Sequence, residues 1–362
     1  MQLFERSTSP IGQRTRRYGD SIYAYDRDSE RPGRVAIREL LEDWFAEIPG
    51  DEQLDLQKRF RSPIERHHRS AVFELFLHHF LLRCGFQVGF HPDVPGATTH
   101  PDFRVSREGK ELFYLEAIAV SNSSSEEAEI NRMNQVYDTL NKLHSPDFYL
   151  SMRLDGAPAT QPAGAKLRAE LSRWLATLDR QEIVQIYSEE RFEDIPQHEW
   201  KHDGWRIVFE PMPKGDSARG DLSVHPIGIT MPLRARQLSL DEALRDAVRR
   251  KDRYGKPPLP LVVAAQVIDE ARLDRIDVMN GLLGSEAISV NAQGQHYPDR
   301  VPNGVWISPS GPRHTSISVV MAWSKLDPWK FSSVEPIMVH NPDAAMPLPQ
   351  GTLPVAYYEV DR

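Results

Sequence analysis

The stretch HPDFRVSREGKELFYLEAIAV, residues 100–120, constrains the fold of this chain most strongly. It predicts two short strands joined by a turn at residues 108–110, and each strand carries one acid among residues suited to a packed sheet. With that turn, Asp102 faces Glu116 across the hairpin. Directly opposed side chains in an antiparallel pair lie about 5 Å apart, so the two carboxylates repel each other unless a proton or a cation lies between them.

A divalent metal ion is the simplest cation for such a pair, and a site built only from oxygen atoms favours Mg²⁺ or Mn²⁺. Glu74 supplies a third acid. It lies within SAVFELFLHHFLL, part of the most apolar helix that the sequence predicts. Burying a lone charge there costs several kcal/mol unless it finds a partner. A narrow polar stripe at helical spacing contains His67, Ser70, Glu74 and His78.

The order of these elements resembles the core of the PD-(D/E)xK nuclease superfamily, which has the restriction-endonuclease-like fold. A helix with Glu74 precedes three strands, of which the second opens on Pro-Asp and the third carries Glu116; a helix and a further strand follow. The resemblance covers about residues 64–154. It implies an α/β fold with an αβββαβ core, in which Asp102, Glu116 and the carbonyl of Ala117 hold Mg²⁺ (or Mn²⁺) and Glu74 joins through water.

The Pro-Asp dipeptide alone is uninformative, because it occurs five times in the chain. Only the copy at Asp102 is preceded by a buried helix with an acid and followed by a strand with an acid at hairpin spacing. The alternative for this set is an ordinary α/β hairpin whose acids point to solvent. The resemblance therefore depends on the combination of three elements rather than on one motif.

The chain departs from the family where Ile118 occupies the position of the family's lysine. In one interpretation the cation comes from elsewhere, and the candidates are His100, opposite Ile118 in the predicted hairpin, and Gln135 and Lys142, which share a helix stripe with Asn131 and Asp138. In the other interpretation the site has lost hydrolysis. The protein then remains an inactive nuclease-like module or scaffold that binds nucleic acid.

Nucleic acid, with DNA as the expected substrate, is the partner that the resemblance implies. A net charge of −8 argues against a general nucleic-acid coat but is compatible with a local basic cleft. The phosphate-binding candidates near the start of the Glu74 helix are Lys58, Arg59, Arg61 and Arg69, for which a solvated helix face is the alternative. A second basic run, residues 245–256, precedes a buried strand and either brings a basic helix end to the cleft or simply ends a helix.

Several functional classes are disfavoured by what the sequence lacks. Its single cysteine, Cys84, cannot form an internal disulfide or a cysteine-rich zinc site. No apolar run approaches the roughly 20 residues of a membrane span, which predicts a cytoplasmic protein without membrane partners. No glycine-rich phosphate loop or nucleophile elbow is present, which disfavours P-loop ATPases and α/β-hydrolases.

The expected organisation has three parts. Residues 1–62 form an N-terminal arm and helices, residues 63–155 the nuclease-like core, and residues 156–362 a mixed α/β extension or second domain. Within the core, a helix over residues 128–143 and a strand over 148–154 are expected to complete the αβββαβ order. The last part can extend the same sheet, recognise substrate or mediate a homodimer, and the sequence leaves these alternatives open.

Overall fold

The computed structural model describes residues 1–120, 124–221, 225–232, 240–268, 273–290, 293–324 and 326–358. It has a mixed α/β fold, in agreement with the predicted class. Its helices are α1 (Ile22–Asp28), α2 (Pro32–Ala46), α3 (Gln53–Phe60), α4 (Glu65–Arg83), α5 (Ser124–Leu140), α6 (Gly164–Leu175), α7 (Arg180–Ser188), α8 (Leu240–Arg249) and α9 (Arg275–Leu283). Over these ranges, no helix has the length and apolar character that a membrane crossing requires.

The strands belong to one large sheet, one smaller sheet and two short hairpins. They are β1 (Gln87–Phe90), β2 (Phe103–Arg107), β3 (Lys110–Val120), β4 (Phe148–Asp155), β5 (His198–His202), β6 (Trp205–Pro213), β7 (Ile227–Pro232), β8 (Leu261–Val267), β9 (Glu286–Val290), β10 (His296–Arg300), β11 (Ile307–Ser308), β12 (Gly311–Pro312), β13 (Ile317–Trp323), β14 (Ile337–His340) and β15 (Tyr357–Tyr358). The chain divides into two compact units, the first with residues 1–14, 21–122 and 238–362 and the second with residues 15–20 and 123–237.

The first unit is built on a seven-stranded sheet in the order β1-β2-β3-β8-β13-β14-β15. The first three strands form an antiparallel meander, whereas β8 runs parallel to both β3 and β13. Every residue of β8, LVVAAQV, is buried, as expected for a parallel strand covered on both faces. The sequence predicts a buried strand after residues 245–256, and the structure confirms it.

Helices cover both faces of this sheet, because side chains alternate between its faces along each strand. On one face Val262 of β8 shares a core with Phe45 of α2 and Phe73 of α4. On the other face Val263 shares a core with Leu244 of α8 and Val278 of α9. The first unit therefore has three layers, with α2 and α4 on one side of the sheet and α8 and α9 on the other.

The second unit has its own sheet and its own core. Its four strands lie in the order β5-β6-β4-β7. Met152 of β4 and Phe209 of β6 pack with Leu140 of α5, Leu171 of α6 and Ile183 of α7. The helices of this unit thus bury the apolar face of a small mixed sheet.

The structure corrects the predicted place of two elements. The expectation that α5 and β4 follow β3 in one sheet is wrong, because β4 pairs with β6 and β7 in the second unit. Beside β2, the other neighbour of β3 in the sheet is β8, and the helix that precedes β8 in sequence is α8. The prediction relied on the rule that consecutive elements are usually neighbours, and residues 123–237 interrupt that succession. The two units also differ from the predicted division after residues 62 and 155.

The N-terminal arm is more ordered than its polar sequence predicts. Ser21 caps α1 by accepting a hydrogen bond from the Ala24 amide. Leu3, Phe4 and Tyr23 are buried in the first unit's core. Isolated large side chains anchor this segment, and such contacts leave no periodic pattern in the sequence.

His78 of α4 is buried against aromatic rings of the first two strands. Its ring lies 5.2 Å from that of Phe90 and 6.4 Å from that of Phe103. Among the residues described, its Nδ1 has no hydrogen-bond partner. Burial therefore lowers the pKa of His78 to about 4.

The buried His78 is expected to make the protein sensitive to acid. As the pH falls from 6.5 to 4, the unfolded chain binds a proton at this residue that the folded chain cannot bind, so stability is lost over this range, by about 3 kcal/mol in total. Urea unfolding of a His78→Leu variant should be correspondingly less dependent on pH between 4 and 6.5. The exposed His67 on the same helix provides the control, His67→Leu; an equal change in both variants would contradict the prediction.

Candidate active site

The hairpin of β2 and β3 places the two acids opposite each other, as the sequence predicts. Its turn and its strand pairing nevertheless differ from the prediction. The pairs Phe103 with Leu115 and Val105 with Phe113 continue to Asp102 opposite Glu116. The turn, however, has two residues rather than three, Glu108 and Gly109 with φ of 52° and 79°, which suits a tight hairpin loop. A bulge at Leu112 in β3, just before Phe113, then restores the register at the acids.

Asp102 and Glu116 interact directly at this end of the hairpin. Asp102 Oδ2 accepts a hydrogen bond of 2.6 Å from the amide of Ala117. Glu116 is fully buried, and it lies on the same sheet face as Tyr114 and Ile118, which pack toward α8. Burial and the charge of Asp102 raise the pKa of Glu116 to about 7, although Lys251 acts in the opposite direction. The carboxylate pair therefore needs positive charge beside it in order to ionise fully.

Two cationic side chains supply that charge. Lys251 Nζ lies 2.5 Å from Glu116 Oε2, and a guanidinium nitrogen of Arg253 lies 3.0 Å from Oε1. Both residues belong to the short segment that leads from α8 to β8. Both belong to the basic run at residues 245–256, which is a predicted approach to the cleft, but the sequence alone does not assign Lys251 or Arg253 to the acids. The sequence signal that could have located these cations is the basic run shortly before the buried strand β8. This strand pairs with β3, which carries Glu116.

Glu74 is held by an arginine of the preceding helix. The guanidinium of Arg59 donates to both carboxylate oxygens, at 2.5 and 2.7 Å, and it also bonds Asp55 at 2.7 Å. Burial raises the pKa of Glu74, and the charge of Asp102 adds to this effect while Arg59 opposes it. Glu74 thus interacts electrostatically with Asp102, and its hydrogen-bond partner, Arg59, is one of the predicted phosphate-binding residues.

The pairing of β2 with β3 does not extend to His100, the residue predicted to lie opposite Ile118. The paired part of β2 begins at Phe103, and the imidazole of His100 lies 3.3 Å from both the Pro92 carbonyl and the Asp93 carboxylate. Its carbonyl accepts a hydrogen bond from Tyr254. The interpretation of His100 as the missing cation therefore has no support in the strand pairing.

Gln135 and Lys142 lie in the second unit. Gln135 is exposed on α5, and Lys142 is exposed just after the end of this helix. On the same predicted stripe, Asp138 accepts hydrogen bonds from the amides of Tyr18 and Gly19. At least part of this stripe therefore binds the segment at residues 15–20 of its own unit.

The remaining phosphate-binding candidates have different surroundings. Arg61 donates to the carbonyls of Gln2 and Leu3, and Arg69 lies 3.9 Å from Glu65. Lys58 is exposed. Together with the Arg59 pair, these contacts indicate that much of this basic run stabilises the N-terminal helices.

The donor set of the acid pair fits a small divalent metal ion. Asp102 and Glu116 offer carboxylate oxygens, and the Ala117 carbonyl points to the same strand edge as its amide, which bonds Asp102. Such hard oxygen donors suit Mg²⁺ or Mn²⁺, and Mg²⁺ usually retains several waters beside one or two carboxylates. Within the described part of the chain, no cluster of three or more His, Cys, Asp or Glu side chains forms a metal site from protein ligands alone.

No family model, curated protein or solved structure matches this chain. The geometry of the acids and their cations is therefore the evidence for what the site does. That geometry combines a carboxylate pair, a lysine in contact with one of its members and a third acid coupled to the other.

Proposed function

We propose that the protein is a metal-dependent nuclease that hydrolyses phosphodiester bonds of DNA. The observation that carries the proposal is the contact of 2.5 Å between Lys251 Nζ and Glu116, beside Asp102. Ile118 occupies the position of the family's lysine. Lys251 instead brings an ammonium group to Glu116 from the segment between α8 and β8. This arrangement favours the interpretation in which the lysine comes from elsewhere.

The element order of the first unit supports the same proposal. Helix α4, strands β1, β2 and β3, helix α8 and strand β8 follow each other as in an αβββαβ core, with residues 123–237 between β3 and α8. Strand β8 lies next to β3 and parallel to it. The resemblance to the PD-(D/E)xK superfamily thus extends to a helix and a strand that lie beyond the stretch of 64–154.

In this proposal Asp102, Glu116 and the Ala117 carbonyl hold Mg²⁺ or Mn²⁺. When bound, the metal ion supplies a Lewis acid for the scissile phosphate and lowers the pKa of a water molecule. Lys251 remains beside Glu116, where its ammonium orients the attacking water and stabilises negative charge on the phosphate. Glu74, held by Arg59, keeps a second negative charge close to Asp102 and so favours cation binding there.

The charges of the acids and of their cationic partners agree with a divalent ion and an anionic substrate. Asp102 and Glu116 face Lys251 and Arg253, two acids against two bases, whereas Arg59 is shared between Glu74 and Asp55. A divalent cation bound at the acid pair would therefore add positive charge that attracts an anionic phosphate.

Replacing Lys251 tests this function. We expect wild-type protein to cleave mixed DNA and RNA substrates with Mg²⁺ or Mn²⁺ but not with EDTA, with DNA cleaved faster. The Lys251→Met variant should lower kcat on DNA by about 10³-fold, because the group that orients water is lost. Lys256, exposed in the same basic run, gives the matched control Lys256→Met. Equal rates for the two variants would contradict the assignment of Lys251.

A second candidate function is nucleic-acid binding without cleavage. One observation favours it: both carboxylate oxygens of Glu116 already have cationic partners. Such a module would bind DNA with strong salt dependence and show neither cleavage with any divalent metal nor heat on titration with Mg²⁺. Metal-dependent turnover that Lys251→Met abolishes would exclude it.

A further inference from the structure

The segment 251–254 alternates its contacts between two sets of residues. Lys251 and Arg253 reach Glu116, whereas the residue between them, Asp252, binds elsewhere. Tyr254 is buried, and its hydroxyl donates to the carbonyl of His100 at 3.1 Å. This connection is therefore fixed at several points rather than free between α8 and β8.

Asp252 bonds two side chains at the start of β13. The Nδ1 atom of His314 lies 2.6 Å from Asp252 Oδ2, and the Ser316 hydroxyl donates to Oδ1. The backbone around these partners is itself anchored, because Asn341 donates to the carbonyls of His314 and Ile317, at 3.5 and 2.8 Å. His314 adopts a φ of 49°, in the left-handed region that a histidine rarely enters. Asp252 thus joins the segment to a well-anchored turn.

The three side chains are not arranged for nucleophilic catalysis. Both Ser316 and His314 bond the carboxylate of Asp252, so the serine does not use the histidine as its base. Ser316 is also buried, which keeps its hydroxyl from a macromolecular substrate. A carboxylate with one bond to each oxygen is instead suited to fixing the backbone that carries it.

We propose that Asp252 is a positioning residue that holds Lys251 and Arg253 against Glu116, with His314 and Ser316 as its anchors. The inference rests on the proposed function of Lys251 for its consequence in catalysis. A lysine side chain has a flexible four-carbon stem, so its ammonium reaches a fixed point only if its backbone is fixed. Asp252 fixes that backbone one residue away, and Tyr254 fixes it three residues away near the start of β2.

The chemical reactivity of Lys251 tests the positioning directly and needs no nuclease activity. Acetylation of each lysine by an N-hydroxysuccinimide ester is followed by peptide mass spectrometry. In wild-type protein Lys251 should react slowly, because its side chain is mostly buried and paired with Glu116. Asp252→Ala should raise that rate by about tenfold, the effect of losing hydrogen bonds to a charged group. Lys58, which is exposed, should react equally in both proteins.

Matched variants separate positioning from general loss of structure. Asp246→Ala removes an exposed acid of α8 and should leave the reactivity of Lys251 unchanged. Ser316→Ala removes one of the two anchoring bonds and should give a smaller increase than Asp252→Ala, and it serves as the folded substitute if Asp252→Ala does not fold. A Lys251 reactivity that is the same in wild type, Ser316→Ala and Asp252→Ala would overturn the proposal.

Cleavage measurements then show whether the positioning matters for catalysis. Asp252→Ala should lower kcat with little change in KM, and in a Lys251→Met background it should add less than about threefold, because both changes remove the same contribution. Full additivity of the two losses would overturn the catalytic part of the inference. Absence of cleavage by wild-type protein would count against the proposed function, whereas the labelling result would still decide the positioning.

Discussion

The Asp102→Asn/Glu116→Gln double variant should lose metal-dependent cleavage of DNA while retaining its fold. The two substitutions preserve side-chain shape and leave an amide oxygen to accept hydrogen bonds from Ala117 and Lys251. They remove both negative charges that the proposed metal site requires. We expect kcat to fall by about 10⁴-fold, since metal activation of water and phosphate contributes several kcal/mol.

The same variant should bind DNA more tightly than the wild type. Without the two acids, Lys251 and Arg253 no longer have ionic partners and are available to a phosphate. We expect affinity at low salt to rise by about tenfold, and the advantage to shrink as salt increases. Fluorescence anisotropy with labelled DNA measures this. A variant that cleaves at the wild-type rate would refute the proposed metal site at Asp102 and Glu116. The unfolding profile of the variant is recorded first, so that a loss of fold is not mistaken for a loss of binding.

Arg59→Met should be the most destabilising of the substitutions considered for the first unit. Arg59 donates both hydrogen bonds to Glu74, whose side chain is only 15% exposed. Removing one partner of a buried pair leaves an uncompensated charge and typically costs about 3–5 kcal/mol. Because burial already raises the pKa of Glu74, the acid can take up a proton instead, which places the expected loss near the lower end at neutral pH.

Urea unfolding of a small set of variants measures this loss. The double variant Arg59→Met/Glu74→Met should recover most of the stability, since it removes the buried charge together with its partner. Lys58→Met, at the exposed neighbouring position, should change stability by less than about 0.5 kcal/mol. If the single and double variants at Arg59 and Glu74 were equally unstable, the loss would come from packing rather than from the unpaired acid.

The acid pair could be predicted from sequence because a hairpin is local. Alternation along β2 and β3 and one turn between them determine which side chains face each other, and Asp102 and Glu116 lie only 14 residues apart in the sequence. The predicted turn is one residue too long, but the unpredicted bulge at Leu112 compensates for it at the acids. The prediction is therefore wrong about the length of the turn but right about the register at Asp102 and Glu116.

The cations could not be located in the same way. Lys251 is 135 residues from Glu116 in sequence, and no spacing rule connects residues at such a distance. The prediction that α5 and β4 continue the core is wrong for a related reason. Their amphipathic patterns are as suitable for a second sheet as for the first. Local patterns thus predict the hairpin and several elements, whereas the identity of a neighbouring strand depends on the whole chain.

The separation of Glu116 and Lys251 has a consequence for the order in which the chain is made. Strands β3 and β8 cannot pair until residues 123–237 have been synthesised. The first 120 residues therefore emerge with the carboxylate pair but without Lys251 beside it. Closing so long a loop also makes this contact one of the slower ones to form. A translation product that ends before β8 therefore lacks the Glu116–Lys251 pair in its sheet setting, and incomplete synthesis would yield no assembled centre.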